Sequence, residues 1–271
     1  MTIKNQVDIL NIIEKKGEIS VKDVEQIFNE ALKLVKECSN ILKDVDFDKE
    51  AVIKSDGSLV TKYDLMLDEK LTKGLKAIVD YPVLSEEHKE VLGDSYFVID
   101  PIDGTHNFSR GFECFGIMLG LVVKGTIMFG IVDLPLLNKT YTAIRGKGAY
   151  LNGNKITVRE PGERFIGNTN MRSQTVLDWI AALRRSDHNF EFRSLYCTCV
   201  PYCYIASGNF DFAIQHGKMG IWDSLAPKII IEEAGGICEV IQHEEARFSV
   251  IAGSKEVYKI IKENIGEMIP E

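Results

Sequence analysis

The chain has 271 residues, 45% of them hydrophobic, so it can bury a full core and form one or two packed domains. Its formal net charge of −8 argues against nucleic-acid binding by phosphate neutralisation, although a metal site could still attract a small phosphorylated ligand. No apolar run approaches a membrane span and the N-terminus lacks a signal-peptide core, so we expect a cytoplasmic protein without membrane contact.

The first part of the chain is expected to be helical. Apolar residues recur at helical spacing over 3–16 and stop at Gly17, which predicts a short amphipathic helix in an N-terminal extension, residues 1–22. The pattern does not decide whether this helix packs on its own domain or on a second subunit. A longer apolar stripe from Val24 to Leu42 predicts a helix that faces the core.

A strand over 51–53 and a turn over 55–58 precede the next predicted helix, which begins near Thr61. Asp64 stands three residues after Thr61, which is the spacing of a capping box. From the residue pattern alone, Asp64 is therefore interpreted as a helix cap.

The most informative stretch follows an apolar, strand-like run over 97–99. Asp100 and Asp103 come next, in an expected turn formed by Pro101 and an Asp-Gly pair, and Thr105 can open a short helix. Two hard oxygen ligands beside free backbone N–H groups suit a divalent cation and the phosphate that it holds. The alternative is a Pro/Gly turn with solvated acids.

Three antiparallel strands are predicted over 115–123, 127–133 and 140–144, and Asn152-Gly153 signals a hairpin. This β-rich layer is expected to end near residue 158. Short strands and helices then alternate, with strands over 165–167, 190–192, 210–214, 237–241 and 248–252 and helices over 176–184, 200–207, 224–234 and 255–262. Asp223 directly precedes one of these helices and could be its N-cap.

Two motifs together resemble the signatures of a known family. Residues 100–108, Asp-Pro-Ile-Asp-Gly-Thr-His-Asn-Phe, match the first signature of the inositol monophosphatase family at every fixed position. Trp222-Asp223 followed by Glu-Ala-Gly-Gly at 233–236 is similar to the second. The resemblance covers roughly residues 25–262, and the family comprises Mg²⁺-dependent, lithium-sensitive phosphatases of sugar and inositol phosphates.

The resemblance implies an α+β or α/β protein, a layered αβαβα sandwich of the sugar phosphatase type with the site between two halves. Residues 23–160 would form an α+β metal-binding half and residues 161–271 an α/β substrate-selecting half. It also implies a Mg²⁺-dependent phosphomonoesterase that hydrolyses a small phosphorylated alcohol such as inositol monophosphate, and we expect a homodimer.

The family's metal ligands can be carried over residue by residue. The resemblance assigns two or three Mg²⁺ ions to Glu86, Asp100, the Ile102 carbonyl, Asp103 and Asp223. Carboxylates gathered in one cleft repel each other unless cations neutralise them, which agrees with this assignment.

The resemblance also implies that a metal-activated water attacks phosphorus directly, aimed by Thr105, which Asp64 orients. The backbone N–H groups of Gly104 and Thr105 would hold phosphate oxygens. Expected substrate contacts are Asp103, Gly104, Thr105, Thr198, Gln215 and Asp223.

At positions expected to contact the substrate, the chain differs from the pattern of inositol monophosphatases. Tyr196-Cys197-Thr198 replaces a small Gly-x-Ala segment, and Gln215-His216 stands where the family carries an acid that accepts substrate hydroxyls. Histidinol-phosphate phosphatase, fructose-1,6-bisphosphatase and 3′-phosphoadenosine 5′-phosphate phosphatase activities therefore remain alternatives. A non-catalytic phosphate-binding protein is a further alternative, disfavoured because the whole ligand set is present.

Overall fold

The computed structural model describes residues 21–45, 51–55, 57–88, 90, 93–243 and 247–270. The helix expected over 3–16 lies outside these residues. Within the described part of the chain, no helix combines the length and the apolar character needed to cross a bilayer.

The helices, in chain order, are α1 (Val21–Lys43), α2 (Lys62–Ile78), α3 (Thr105–Phe108), α4 (Gln174–Arg185), α5 (Cys199–Ala206), α6 (Leu225–Glu233) and α7 (Lys255–Ile265). The first strands are β1 (Val52–Ile53), β2 (Leu59–Val60), β3 (Val83–Ser85), β4 (Tyr96–Asp103), β5 (Gly116–Val123), β6 (Thr126–Leu134), β7 (Lys139–Ile144), β8 (Gly148–Leu151) and β9 (Asn154–Ile156). The remaining strands are β10 (Arg164–Thr169), β11 (Asn189–Arg193), β12 (Phe212–Lys218), β13 (Ile237–Gln242) and β14 (Arg247–Gly253).

Two large sheets form the frame. Strands β3 to β9 make a seven-stranded sheet in sequential order, in which β3 and β4 are parallel and the later pairs are antiparallel. The second sheet has the order β11-β10-β12-β14-β13, with β10 parallel to both of its neighbours. Strands β1 and β2 form a separate antiparallel hairpin.

The helices lie in three layers around these sheets. Apolar residues of α1 and α2 pack on the outer face of the seven-stranded sheet, α5 and α6 fill the space between the two sheets, and α4 and α7 cover the outer face of the five-stranded sheet. The result is the expected αβαβα sandwich. Both faces of strand β5 are apolar because helices cover both of them. Ile117 and Leu119 face α1 and α2, whereas Met118 and Val122 face the central helices.

A glycine sets how closely the central helices approach the first sheet. A Cβ atom at Gly130 in β6 would overlap the carbonyl oxygen of Ala226, near the start of α6. Helix α6 therefore lies directly on the sheet. A single 3₁₀ turn, Ile221–Asp223, precedes it, so this close packing also fixes where Asp223 lies.

The turn expected at Pro101 is wrong, because β4 continues through it to Asp103. Asp100 pairs with Met118 and Asp103 pairs with Gly116, so one extra residue bulges from β4 between these two pairs. A bulge accommodates a proline, which has no N–H to donate to the ladder. The strand therefore bends where its two aspartates lie.

Candidate metal centre and active site

The parallel pairing of β3 and β4 brings the first two predicted ligands together. Ser85, the last residue of β3, pairs with Ile99, so Glu86 follows β3 at the level where Asp100 follows Ile99. The Asp100 side chain is buried, and its Oδ1 accepts a hydrogen bond from the backbone N–H of Ile102 at 3.1 Å. Its Oδ2 is also buried and has no hydrogen-bond partner in the described part of the chain.

Asp103 ends β4 and faces the first turn of α5. Its carboxylate accepts hydrogen bonds from the N–H of Thr198 at 2.8 Å, the N–H of Cys199 at 2.7 Å and the Thr198 hydroxyl at 3.1 Å. Gly104 follows with φ +86°, and a Cβ there would lie 2.9 Å from the carbonyl oxygen of Cys114. This left-handed residue lets the chain turn from β4 into α3.

Asp223 approaches from the other side of the site. The expectation that it could cap the next helix is wrong, because Asp223 closes the 3₁₀ turn and Ser224 occupies the N-cap position of α6. Its Oδ2 instead accepts a hydrogen bond from the N–H of Gly220 at 2.5 Å. One oxygen each of Asp100, Asp103 and Asp223 lies within 4.8 Å of the others.

The electrostatics of this acidic cluster favour a cation. Burial, followed by the neighbouring carboxylates, raises the pKa of Asp100 and of Asp223 well above the ordinary range. Burial also raises the pKa of Asp103 and raises that of Glu86 to about 7. Three hard oxygen donors this close together fit a divalent cation.

Two cysteines also lie near this cluster, and their chemistry is different. The sulfur atoms of Cys197 and Cys199 and one Asp103 oxygen lie within 4.8 Å of one another. Burial raises the pKa of the Cys199 thiol well above its ordinary range, and sulfur is a soft donor, whereas hard divalent cations bind carboxylate oxygens. The carboxylate set is therefore the better cation site.

Glu86 has a basic neighbour, Lys54, that the sequence pattern does not indicate. The Nζ of Lys54, from the β1–β2 hairpin, lies 3.2 Å from a Glu86 oxygen and 2.6 Å from a Glu87 oxygen. This ammonium group partly offsets the two glutamates. No spacing in the chain pairs a lysine 32 residues upstream with Glu86, so only the fold could reveal this contact.

The residues proposed to aim the nucleophile lie in one hydrogen-bonded group. Asp64 is both the capping-box residue of α2 and a partner of the first motif: its Oδ2 accepts from the Thr61 N–H at 2.8 Å, and Thr105 donates its hydroxyl to Oδ1 at 3.2 Å. The Thr105 hydroxyl also lies 3.0 Å from the Ile102 carbonyl oxygen. Burial raises the pKa of Asp64 to about 6, so this carboxylate is largely ionised at neutral pH.

A second acid on α2 supports the loop that carries Glu86. Asp68 accepts a hydrogen bond from the Ser85 hydroxyl, and its other oxygen lies 2.7 Å from Nδ1 of His88. Asp68 thus holds both residues that flank the Glu86-Glu87 pair.

Two cavities open beside the acidic cluster. The first, called the metal-side cavity, measures about 190 Å³ and is lined by Glu86, Asp100, Gly104, Thr105, His106 and residues of the β1–β2 hairpin. The second, called the distal cavity, measures about 160 Å³ and is lined by Thr169, Asn170, Thr198, Gln215, Lys218 and neighbouring residues. Asp103, Asp223, Arg172 and Tyr196 border both.

Every residue predicted from the sequence to act in the site therefore borders these cavities or bonds to a residue that does. Arg172 and Tyr196 were not predicted as site residues, and the Arg172 guanidinium carbon lies 4.8 Å from the centre of the Tyr196 ring. The Tyr-Cys-Thr departure at 196–198 marked this wall as unusual, but no signal in the sequence pointed to Arg172.

Comparison with known proteins gives a consistent picture. Residues 23–267 match the profile of the inositol monophosphatase family. A fructose-1,6-bisphosphatase/inositol-1-monophosphatase of Thermotoga maritima is 32% identical over 202 residues, which are 71% of this chain and 78% of that protein. A histidinol-phosphatase of Chlorobaculum parvum is 31% identical over 197 residues, 68% of this chain and 73% of its own.

Solved structures agree on the architecture. The structure of a Thermotoga maritima IMPase superimposes with a TM-score of 0.75 at 28% identity and covers 89% of this chain and 99% of its own. The suhB extragenic suppressor protein of Bartonella henselae superimposes with a TM-score of 0.80 at 23% identity, covering 90% of this chain and 100% of its own, and at that identity shows the fold alone.

Proposed function

Because the chain belongs to the inositol monophosphatase family and is a phosphoric monoester hydrolase, we propose that it hydrolyses a small phosphorylated alcohol, such as inositol monophosphate, with Mg²⁺ as cofactor. The family is metal-dependent, and the observation that supports the proposal in this chain is the acidic cluster. Three carboxylates whose oxygens lie within 4.8 Å of one another, at a cavity, are untenable as ions without a cation.

We assign the metal ligands as follows. Glu86, Asp100 and the Ile102 carbonyl would hold one ion, and Asp100, Asp103 and Asp223 a second; the resemblance implies two or three ions in all. Bound Mg²⁺ would lower the pKa of a water molecule and stabilise the alcohol leaving group as it departs. Oδ2 of Asp100, which has no hydrogen-bond partner among the described residues, would be available to such an ion.

Thr105 and Asp64 would aim the attacking water. When Thr105 donates its only hydroxyl proton to Asp64, its oxygen lone pairs remain free to accept a hydrogen bond from the water. Asp64 is held by Thr61 at the rigid start of α2, so it fixes the orientation of the hydroxyl. The proton of the water then points toward Thr105 and its lone pair toward phosphorus.

The leaving side of the phosphate would face Asp103 and Asp223, and the backbone N–H groups of Gly104 and Thr105 would hold its remaining oxygens. Thr198 and Gln215 lie in the distal cavity, where the alcohol part of the substrate would fit. The reaction is a direct displacement by water, with no covalent intermediate on the protein.

The alternatives named for relatives are phosphatases of histidinol phosphate, of fructose 1,6-bisphosphate and of bisphosphate nucleotides. The test is phosphate release from inositol 1-phosphate and from each of these substrates, with Mg²⁺ and with EDTA. We expect Mg²⁺-dependent release from at least one substrate and none in EDTA. No release from any of them would leave a non-catalytic phosphate-binding protein as the better account.

We propose further properties for this chain because the family resemblance implies them. We expect Li⁺ to inhibit turnover at saturating Mg²⁺, which a titration would show. A cytoplasmic homodimer is also expected, and sedimentation of the purified chain would test the oligomeric state.

A further inference from the structure

The distal cavity differs in chemistry from the metal-side cavity, although the two adjoin. Carboxylates of Glu86, Asp100, Asp103 and Asp223 dominate the metal-side cavity. Of these acids, Asp103 and Asp223 also reach the distal cavity, where they lie at its border with the metal site. Bound cations would neutralise both. The remainder of the distal lining then decides what kind of group it accepts.

That remainder presents cations. Arg172, in the loop after β10, and Lys218, the last residue of β12, both line the distal cavity. Both residues are exposed, so a ligand in the cavity can reach their charged groups. Gln215, which lines the same wall, is a neutral amide. The charge balance of this wall therefore favours an anionic group over a neutral polyol.

The neutral polar groups of the wall also favour an anionic group, because they present hydrogen-bond donors. Tyr202 donates its hydroxyl to Oε1 of the buried Gln215 at 2.7 Å, so the acceptor end of this amide is occupied and the N–H₂ end remains as a donor. The Thr169 hydroxyl is fully buried, lines the cavity and has no partner within the described residues. Both groups can donate to an oxygen anion.

Arg172 is held at the junction of the two cavities by an unusual residue. Tyr196 adopts φ +54°, a left-handed conformation that non-glycine residues rarely occupy, and its ring contacts the Arg172 guanidinium group at 4.8 Å. Residues in such backbone conformations cluster at binding and active sites. The ring thus positions Arg172 between the metal site and the distal cavity.

We propose that the distal cavity is a second-anion subsite, so that the substrate carries, besides the phosphate that is hydrolysed, another anionic group bound by Arg172 and Lys218 with Gln215 and Thr169 as donors. The inference rests on the proposed phosphatase function and narrows its substrate class: among the candidate substrates it favours a doubly anionic one over inositol monophosphate, whose ring carries no second anion. The second group is a phosphate or a carboxylate, since both are acceptor-only anions that a guanidinium fork binds.

Two matched substrate pairs test this subsite on the intact chain with Mg²⁺. Fructose 1,6-bisphosphate and fructose 1-phosphate differ in a second phosphate, and 2-phosphoglycerate and glycerol 2-phosphate differ in a carboxylate. We expect kcat/KM to be at least about tenfold higher for the doubly anionic member of one pair, the factor expected of one or two charge-assisted hydrogen bonds. The pair that shows the advantage identifies the second anion.

Variants of the wall then test which residues produce the higher kcat/KM for the doubly anionic substrate. Arg172→Gln should reduce the advantage to about twofold or less, mainly through KM, and Lys218→Met should reduce it partially. Arg185→Gln, which removes an exposed arginine at the end of α4, should preserve it. Thermal melts verify that each variant is folded.

Three results would overturn the inference. The inference is contradicted if the wild-type chain has no higher kcat/KM for the doubly anionic member of either pair. It is also contradicted if Arg172→Gln lowers kcat/KM for both members of a pair by the same factor. In both cases Mg²⁺-dependent phosphate release would still support the phosphatase function. No release from any substrate would contradict the function and the subsite together.

Discussion

The carboxylate of Asp103 accepts a hydrogen bond at 2.8 Å from the backbone N–H of Thr198, 95 residues further along the chain. This contact joins the end of β4 in the first sheet to the start of α5 in the central layer. A proposed metal ligand is thus also the group that satisfies the first N–H groups of a helix. Loss of this carboxylate should therefore affect both turnover and stability.

Replacing Asp103 with asparagine tests this double role. Asp103→Asn should lower turnover by about 10²-fold or more, because the ligand charge is lost. In Mg²⁺, where the charge of Asp103 is neutralised in the wild-type chain, it should also reduce the free energy of unfolding by about 1 kcal/mol, since one of the two acceptor oxygens becomes a donor. Steady-state kinetics and thermal melts measure the two effects.

Asp133→Asn is the matched control. Asp133 is an equally buried carboxylate that accepts hydrogen bonds from Lys36 and Thr140 at 2.6 Å, away from both cavities. It should lose stability while turnover is preserved. Near-normal turnover in Asp103→Asn would refute its assignment as a ligand.

The stability of the metal-free chain should fall as pH rises. In the folded protein the pKa of Asp64 is about 6 and that of Glu86 about 7, against ordinary values of 3.8 and 4.5. Between about pH 4 and pH 7 the folded state therefore binds more protons than the unfolded state, and the free energy of unfolding decreases with pH through this window. Asp100 and Asp223 shift in the same direction.

Mg²⁺ should reverse this loss, because it binds the ionised carboxylates. Thermal melts in EDTA and in Mg²⁺, at about pH 5 and about pH 7.5, give four melting temperatures. We expect Mg²⁺ to raise the melting temperature more at the higher pH. A melting temperature in EDTA that is constant or rises over this range would contradict the electrostatic account of the acidic cluster.

Thr105 should matter through its hydroxyl oxygen. Thr105→Ala removes the group that would aim the water and should lower kcat by about 10²-fold or more, with a smaller effect on KM. Thr105→Ser retains the hydroxyl and should recover most of the rate. Equal kinetics for the alanine and serine variants would show that the Thr105–Asp64 contact is structural.

Asp68 should act on metal affinity through the loop that it holds. Asp68→Ala releases Ser85 and His88, which flank Glu86-Glu87, and should raise the Mg²⁺ concentration for half-maximal activity about tenfold while kcat at saturating Mg²⁺ changes little. Glu69→Gln, at the exposed neighbouring position of α2, is the control. An unchanged Mg²⁺ dependence in Asp68→Ala would exclude this role.

The layered fold and the acids of the site could be predicted because their signals are local or carried by whole motifs. Periodic apolar residues in α1 and β5 give the layers, and the spacing of Thr61 and Asp64 gives a capping box that the structure contains. The resemblance to one family then orders the separated acids around a common cleft.

The remaining features depend on contacts between distant residues. Pro101 is a turn former, yet pairing on both sides of the bulge keeps it within β4. Asp223 follows the pattern of an N-cap, yet a 3₁₀ turn moves the cap to Ser224. Lys54 reaches Glu86 and Arg172 reaches Tyr196 through tertiary packing, which no local pattern encodes.

The most direct test of the central claim is a crystal structure of this chain grown in Mn²⁺, with anomalous scattering used to locate the ions. We predict at least two anomalous peaks per chain, bonded to the carboxylates of Glu86, Asp100, Asp103 and Asp223. A well-ordered structure at saturating Mn²⁺ in which these carboxylates point apart, with no peak among them, would contradict the metal-dependent phosphatase mechanism proposed for this chain.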